Sequence, residues 1–247
     1  MPKQTHWDNV ATWYDEYLSD SDTYQAAVIA PNLMRMLALQ KGMHVLDVAC
    51  GQGYFARLVA AAGAHVTGID QSKELIAKAT ERKGSNETYS VGSAEDIKLS
   101  TQYDIAYTVL AFENIKNIAG VLKSVHKVLS QEGRYIVVLL HPAFRIPQHS
   151  DWRFDDGVQY RTVAKYLSEI AIPIQLAPFK GAKKATTTTF HRSLQWYTKA
   201  CKNAGFVIAG MEEWISHKKS QPGPRSAAED TARKEIPMFL ALELVKR

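Results

Sequence analysis

A strand-like run that breaks into glycines is the first part of this sequence equipped for chemistry. Val45-Leu46-Asp47-Val48-Ala49-Cys50-Gly51-Gln52-Gly53 leads into a helical pattern from Tyr54. Glycines there permit unusual backbone angles and close approach to a ligand, and the following helix turns its positive end toward that ligand. A tight strand–helix turn with no ligand would read the same. A second acidic residue narrows the choice: Asp70 closes the run His65-Val66-Thr67-Gly68-Ile69, 17 positions after Gly53. In a doubly wound sheet this puts Asp70 at the carboxyl edge beside the first turn, where its carboxylate can accept two ribose hydroxyls in charge-assisted bonds. The alternative is that Asp70 caps the helix beginning Gln71-Ser72-Lys73.

Three other places carry groups able to anchor or deprotonate a second molecule, and a general base there would contribute roughly 10²–10⁴-fold. His141-Pro142 follows a strand directly, so His141 reads either as a base near neutral pKa or as a histidine satisfying loop backbone. Glu113 and Asn114 follow the fourth strand at the same edge; Asn114 serves either an acceptor molecule or a helix cap. His191-Arg192 opens a late helix, and Arg192 pairs either with an acidic acceptor or with a nearby carboxylate.

The elements that must position these groups alternate. Val45–Ala49, Val66–Ile69, Thr88–Val91, Ile105–Leu110 and Tyr135–Leu140 read as strands, separated by helical patterns at Tyr54–Ala62, Lys73–Arg82 and Ile115–Leu129. Several strands are apolar on consecutive residues, as in a sheet covered on both faces. The β-α-β-α order implies parallel strands with right-handed crossovers. Gly63 suits a left-handed helix stop, and Gly133 the turn into the fifth strand. Residues 1–40 read as a helical cap, 41–140 as the core and 191–247 as the rest of one 247-residue domain. Residues 141–190 are too long for a plain loop and read as an insertion over a site, with Trp152, Phe154, Tyr160 and Tyr166 available to line an apolar pocket. After a helix at Leu194–Ala204 come a strand at Phe206–Glu212, a polar loop around Gln221–Ser226 and a final strand at Met238–Val245.

Over roughly residues 7 to 140 the chain resembles class I S-adenosylmethionine-dependent methyltransferases. The resemblance rests on Asp47 through Gly53, then Gly68-Ile69-Asp70-Gln71-Ser72, then Gly92-Ser93-Ala94-Glu95-Asp96-Ile97, in order and at the usual separations. It implies a Rossmann-like α/β fold, a doubly wound seven-stranded sheet, mostly parallel with an antiparallel last strand. S-adenosylmethionine is the implied cofactor and S-adenosylhomocysteine its product. The turn Ala49-Cys50-Gly51 to Gly53 would face the methionine part, Asp70 the ribose, and Ser93-Ala94-Glu95 the adenine. Leu110 would pack against the cofactor and Tyr14 would close the pocket from the cap. Ala49 stands where a first glycine is often found, which is tolerable if its backbone angle is ordinary. Ser93 stands where an aspartate is common. A nicotinamide enzyme would show a longer three-glycine pattern whose third position, Ala56, is permitted; the later motifs decide between the two. More loosely, Leu140–Arg145, Phe190–Leu194 and Ala204–Phe206 resemble the quinone- and natural-product-modifying branch of methyltransferases.

The implied reaction is methyl transfer to an oxygen, nitrogen or carbon of a small molecule. An RNA methyltransferase and a non-catalytic cofactor-binding sensor or partner subunit are the alternatives. The net charge of +5 favours anionic partners, but the lysines are scattered and no RNA-binding module is visible. No run approaches the roughly 18 apolar residues of a membrane helix, and Met1–His6 lacks a secretory apolar region. Cys50 and Cys201 have no metal-site spacing, and a reducing, cytoplasmic setting is expected. The sheet-edge candidates do not gather three carboxylates, so no metal site is expected.

Overall fold

The computed structural model describes residues 7–18, 20–176 and 185–247, the side chains at 9, 10, 14, 175, 176 and 185 excepted. A 3-10 turn, Trp7–Val10, leads into α1 (Ala11–Leu18), and a π-helical turn, Gln25–Ile29, into α2 (Ala30–Leu37). The alternating core follows as β1 (His44–Val48), α3 (Tyr54–Ala61), β2 (His65–Asp70), α4 (Lys73–Glu81), β3 (Glu87–Val91) and β4 (Tyr103–Val109). A 3-10 turn at Phe112–Asn114 precedes α5 (Ile118–Val128) and β5 (Leu129–Leu140). Two hairpins come next, β6 (Ser150–Asp155) with β7 (Val158–Val163), and β8 (Ile170–Leu176) with β9 (Ala185–His191). The chain ends with α6 (Leu194–Asn203), β10 (Phe206–Trp214), α7 (Ser226–Glu235) and β11 (Phe239–Lys246).

Seven strands form one sheet in the order β10-β11-β5-β4-β1-β2-β3. β11 runs antiparallel to both its neighbours, β10 and β5, while the β5-β4-β1-β2-β3 pairings are all parallel. The mostly parallel sheet with its antiparallel last strand is therefore as the sequence implies. Chain order reverses between β1 and β4, which opens a crevice at their carboxyl ends.

Consecutive apolar residues in the strands divide between two cores. Tyr135, Val137 and Leu139 pack with Val121, Leu122 and Val125 of α5 on one face, whereas Ile136 and Val138 join Leu33, Leu37 and Val59 on the other. β11 does the same, with Leu240, Leu242 and Leu244 on the first face and Phe239 and Ala241 on the second. α5 buries Ile118, Val121, Leu122, Val125 and Val128, the spacing of one helical face. Its start is three residues later than the sequence pattern suggests because Asn117, not Asn114, is the cap, accepting the Gly120 amide at 3.0 Å. The stretch after β5 carries two antiparallel strand pairs, β6 with β7 and β8 with β9. The helix α7 is a departure: it occupies a stretch the sequence left unassigned beyond its polar loop, and only its Ala232 is buried.

Candidate functional site

A large cleft opens at the carboxyl ends of the central strands. β1 and its exit contribute Asp47, Ala49, Cys50 and Gly51; the end of β2 contributes Ile69, Asp70 and Gln71. Ser93, Ala94 and Glu95 follow β3, and Leu110 and Asn114 follow β4. Eleven of the residues singled out from sequence thus share one wall system. Trp7 and Leu18 line it from the N-terminal segment, with Tyr54, Phe55, Leu75 and Ile115 adding apolar surface. Tyr14 lies on α1, but its side chain falls outside the described residues. The N-terminal segment is tied down beside the cavity. Asp8 accepts from the Ser72 hydroxyl at 2.5 Å and the Glu74 amide at 3.2 Å, and Asp15 accepts both arms of Arg82 at 2.5 and 2.6 Å.

The turn after β1 is built from left-handed residues: Ala49 at φ 61°, Gly51 at φ 56° and Gly53 at φ 77°. Ala49 therefore does not have the ordinary angle that would make its substitution for glycine costless; a side chain here is strained by roughly 1–2 kcal/mol. Leu110, also lining the cavity, sits at φ 50°. Gly53 does not line the cavity. It heads α3, where a Cβ would stand 2.5 Å from the Tyr89 hydroxyl, so glycine is required sterically. Asp70 holds the turn: its Oδ2 accepts the Gly51 amide at 3.0 Å and its Oδ1 the Ser72 amide at 2.8 Å. The cap of α4 is Ser72, whose hydroxyl accepts the Leu75 amide at 3.1 Å, which leaves Asp70 facing the cavity rather than capping. The Ser93 hydroxyl accepts the Glu95 amide at 3.2 Å, and Glu95 accepts Asn117 Nδ2 at 3.0 Å.

The other polar candidates part company. Asn114 lines the large cavity, its Nδ2 donating to the Leu110 carbonyl at 3.4 Å. His141 does not line it. Its ring is 2% exposed, with Nε2 donating to Glu213 at 2.6 Å and Nδ1 accepting the Ala143 amide at 3.2 Å. Burial lowers its pKa despite Glu213, and both ring nitrogens have partners within the protein. His191, likewise lowered by burial, donates Nε2–H to the Tyr166 carbonyl at 2.8 Å. Arg192 forms no ion pair among the described residues; it donates to the carbonyls of Phe112, Ile115 and Lys116 at 3.4, 2.9 and 2.6 Å, holding the 3-10 turn after β4.

A second, much smaller cleft is lined by Glu113, Leu140, Pro142, Arg145, His191 and Tyr197 among others. The four insertion aromatics line neither cavity. Trp152 stacks with the guanidinium groups of Arg145 and Arg161, Phe154 lies under Arg225, Tyr160 is exposed, and Tyr166 accepts the Leu194 amide. Cation–π stacking and backbone tethering account for them better than an apolar pocket does.

The electrostatics of the large cavity decide what it can hold. Asp47, Asp70 and Glu95 line it, and no lysine, arginine or histidine does among the described residues. Burial with no cation nearby pushes the Asp47 carboxyl up to about 8, opposed only by the Tyr107 hydroxyl it accepts at 2.8 Å, and raises Asp70 as well. A pyrophosphate there would find only backbone amides and no basic side chain among the described residues. A ligand bearing sulfonium and ammonium cations would relieve the carboxylates. The Cys50 thiol, also raised by burial, stays protonated and packs as a small apolar group.

The fold and the cavity have the arrangement of class I S-adenosylmethionine-dependent methyltransferases, and the comparisons point the same way. Residues 46–137 match the family described as Methyltransferase domain. The chain is 36% identical over 104 residues to the ubiquinone/menaquinone biosynthesis C-methyltransferase UbiE of Rubrivivax gelatinosus, covering 42% of this chain and 41% of that one. It is 26% identical over 149 residues to the malonyl-[acyl-carrier protein] O-methyltransferase of Pectobacterium atrosepticum, covering 60% and 58%. The chain thus spans about half the length of the curated relatives it matches. Among solved structures, an S-adenosylmethionine-dependent methyltransferase of Mesorhizobium loti superposes with a TM-score of 0.70 at 25% identity, over 93% of this chain and 100% of that one. No described helix is long and apolar enough to cross a membrane.

Proposed function

We propose that this protein transfers the methyl group of S-adenosylmethionine to an oxygen, nitrogen or carbon atom of a small-molecule acceptor. The observation that carries the reading is the large cavity at the strand-order reversal, lined by three carboxylates and no basic side chain among the described residues. When bound, the cofactor supplies an electrophilic methyl group on a sulfonium sulfur. The residues of this chain hold and orient. Asp70 would accept the ribose hydroxyls, the turn Ala49 to Gly51 would face the methionine part, Ser93 to Glu95 the adenine, and Leu110 would offer an apolar face. Asn114, which lines the large cavity, and His191, which lines the smaller one, would contact the acceptor. Alignment of the reacting atoms in a dry pocket supplies most of the rate, since effective molarities reach about 10⁵ M in well-oriented cases. Relatives named for C- and O-methylation support a small or carrier-bound acceptor. Two buried, unpaired cysteines support a reducing, cytoplasmic setting.

Calorimetric titration with S-adenosylhomocysteine tests the reading. Binding near the micromolar range, about −8 kcal/mol, and its loss in Asp70→Ala are expected. A wild-type protein that binds neither S-adenosylhomocysteine nor S-adenosylmethionine overturns it.

A further inference from the structure

Four arginines gather around the β6–β7 hairpin and α7, and none of them forms an ion pair among the described residues. Arg145 follows β5, Arg161 lies on β7, Arg225 precedes α7 and Arg233 stands in its last turn. Aromatic rings position three of them: Arg145 and Arg161 stack on Trp152 at 5.4 and 5.0 Å, and Arg225 on Phe154 at 4.7 Å. Trp152 and Phe154 are alternate residues of β6 and project from one face of the hairpin. A stacked guanidinium keeps its in-plane N–H groups available as donors.

The protein engages these donors unequally. Arg161 donates to the Phe144 carbonyl at 2.8 Å and to the Ser150 hydroxyl at 2.7 Å. Arg233 has one long contact, from Nε–H to the Ser220 hydroxyl at 3.4 Å. The Arg145 guanidinium makes no hydrogen bond to the described residues. Its Nε–H is buried and unpartnered, while the residue as a whole is only half-buried, which leaves the two Nη groups accessible. Burial first, then the charges of Arg161 and Arg233, push its pKa down to about 10. Carboxylates on the neighbouring elements are taken up elsewhere: Asp151 accepts the Trp152 amide at 2.7 Å, Asp155 pairs with Arg153 at 3.1 Å, Glu213 bonds the His141 ring at 2.6 Å, and Asp230 accepts the Ser220 amide at 2.7 Å.

A half-buried cation without a partner, in the field of two more, is unfavourable in the protein alone, and a bound anion reverses the sign. A carboxylate would bring one negative charge. A phosphate monoester brings about −1.5 to −2 at pH 7 and three acceptor oxygens on one compact group, and arginine meets it with two parallel N–H bonds. The second is the better match where three guanidinium groups share one potential.

We propose that Arg145, flanked by Arg161 and Arg233, anchors an oxyanion site that binds phosphate, either as the free ion or as the monoester of a small molecule. The phosphate is reached from solvent by the Nη groups of Arg145. Arg145 does not line the cofactor cleft, so the site holds its ligand without taking part in the methyl transfer, and the inference stands apart from the methyltransferase reading. Its occupant would tie together the exit of β5, the β6–β7 hairpin and α7, because these three elements supply the charges.

Calorimetric titration of the full chain near neutral pH and at constant ionic strength tests the site, with inorganic phosphate, glycerol 3-phosphate, dimethyl phosphate and acetate as probes. One of the first two should bind with a Kd of about 1 mM or tighter, and at least about tenfold tighter than either monovalent anion. Tighter binding of inorganic phosphate identifies the free ion as the ligand; tighter binding of glycerol 3-phosphate identifies a phosphorylated molecule. Arg145→Gln should weaken the better probe at least about tenfold, and Arg145→Lys should restore only part of it, since an ammonium group has no planar fork. Arg233→Gln should weaken it severalfold and keeps the test decisive should the Arg145 variants fold poorly. Lys98→Gln, at an exposed position away from the cluster, should change nothing. Phosphate should also raise the urea midpoint of the wild type more than that of Arg145→Gln. No saturable binding of either divalent probe, equal binding of dimethyl phosphate or acetate, or an affinity untouched by both arginine-to-glutamine changes overturns the proposal. An equal loss in Lys98→Gln also overturns it, since general positive charge would then explain the binding. S-adenosylhomocysteine should bind all these variants as it binds the wild type, so a failure of the methyltransferase reading shows only in that separate titration.

Discussion

Asp70 reaches back across the crevice to Gly51: its Oδ2 accepts the Gly51 amide at 3.0 Å, so the residue that ends β2 also shapes the turn that ends β1. With Oδ1 on the Ser72 amide, both oxygens already accept a backbone donor, and lone pairs remain on each for a ligand. One carboxylate therefore links the glycine turn, the start of α4 and the cofactor cavity.

Asp70→Asn should expose that double role. The amide can accept one of the two N–H groups, but its NH₂ then faces the other donor, so a loss of about 1–3 kcal/mol in stability is expected. Urea denaturation with and without S-adenosylhomocysteine separates the contributions, because ligand stabilisation follows RT ln(1 + [L]/Kd). A variant as stable as the wild type, and stabilised equally by ligand, would contradict both roles.

The Asp47 carboxyl makes stability depend on pH. Its folded-state pKa of about 8 lies above the ordinary carboxylate value, so the folded state binds the extra proton. Its contribution is full below about pH 4 and is lost progressively as pH rises to about 8. His141 and His191 act in the opposite sense: burial lowers them, so their contribution is present above about pH 6.5 and is lost as pH falls through their folded values. Asp47→Asn keeps an acceptor for the Tyr107 hydroxyl and removes the titration. Urea midpoints at about pH 5, 7 and 8.5 should show the wild type losing ground on the alkaline side while the variant does not. Parallel profiles would show that Asp47 ionises normally.

The core and the cofactor wall were legible because both are written locally. Strand and helix periodicities differ, and Asp47, Asp70 and Glu95 sit at element ends where a parallel sheet collects its ligands. Asn114 and Asn117 show the limit. Either could cap a helix; only the three-dimensional path gave Asn117 the cap and freed Asn114 for the cavity. The helix α7 has good helix formers over Ser226–Glu235 but no apolar stripe, so periodicity does not mark it. His141 and Arg192 were assigned by edge position and residue type, but satisfaction of buried backbone, which no sequence pattern marks, had claimed both. The aromatic residues of the insertion misled for a related reason: a guanidinium partner distant in sequence turns a pocket-lining residue into a stacking platform.

Ala49 offers a direct measure of strain at the site. Its φ of 61° is a glycine conformation borne by a side chain on the cavity wall. Ala49→Gly should raise stability by about 0.5–1 kcal/mol, the relief of that strain less the added entropy of the unfolded chain. Chemical denaturation measures it, and a destabilised variant would mean that the Ala49 methyl group packs better than its backbone suffers.

Arg192 tests whether the wall between the cavities is a mechanical part. Its guanidinium binds the carbonyls of Phe112, Ile115 and Lys116, and its plane lies over Phe190 at 5.2 Å and Trp196 at 4.9 Å. Arg192→Ala leaves three carbonyls without that donor and should cost about 2–4 kcal/mol. Lysine has no planar fork to span the three acceptors, so Arg192→Lys should recover less than half of the loss. Because Asn114 belongs to the same turn, S-adenosylhomocysteine should also bind more weakly to both variants, although Arg192 itself does not line the large cavity. Denaturation midpoints and calorimetric titrations supply the two readouts. If the lysine variant matched the wild type in both, charge alone would hold the turn, and the three-carbonyl geometry would be incidental.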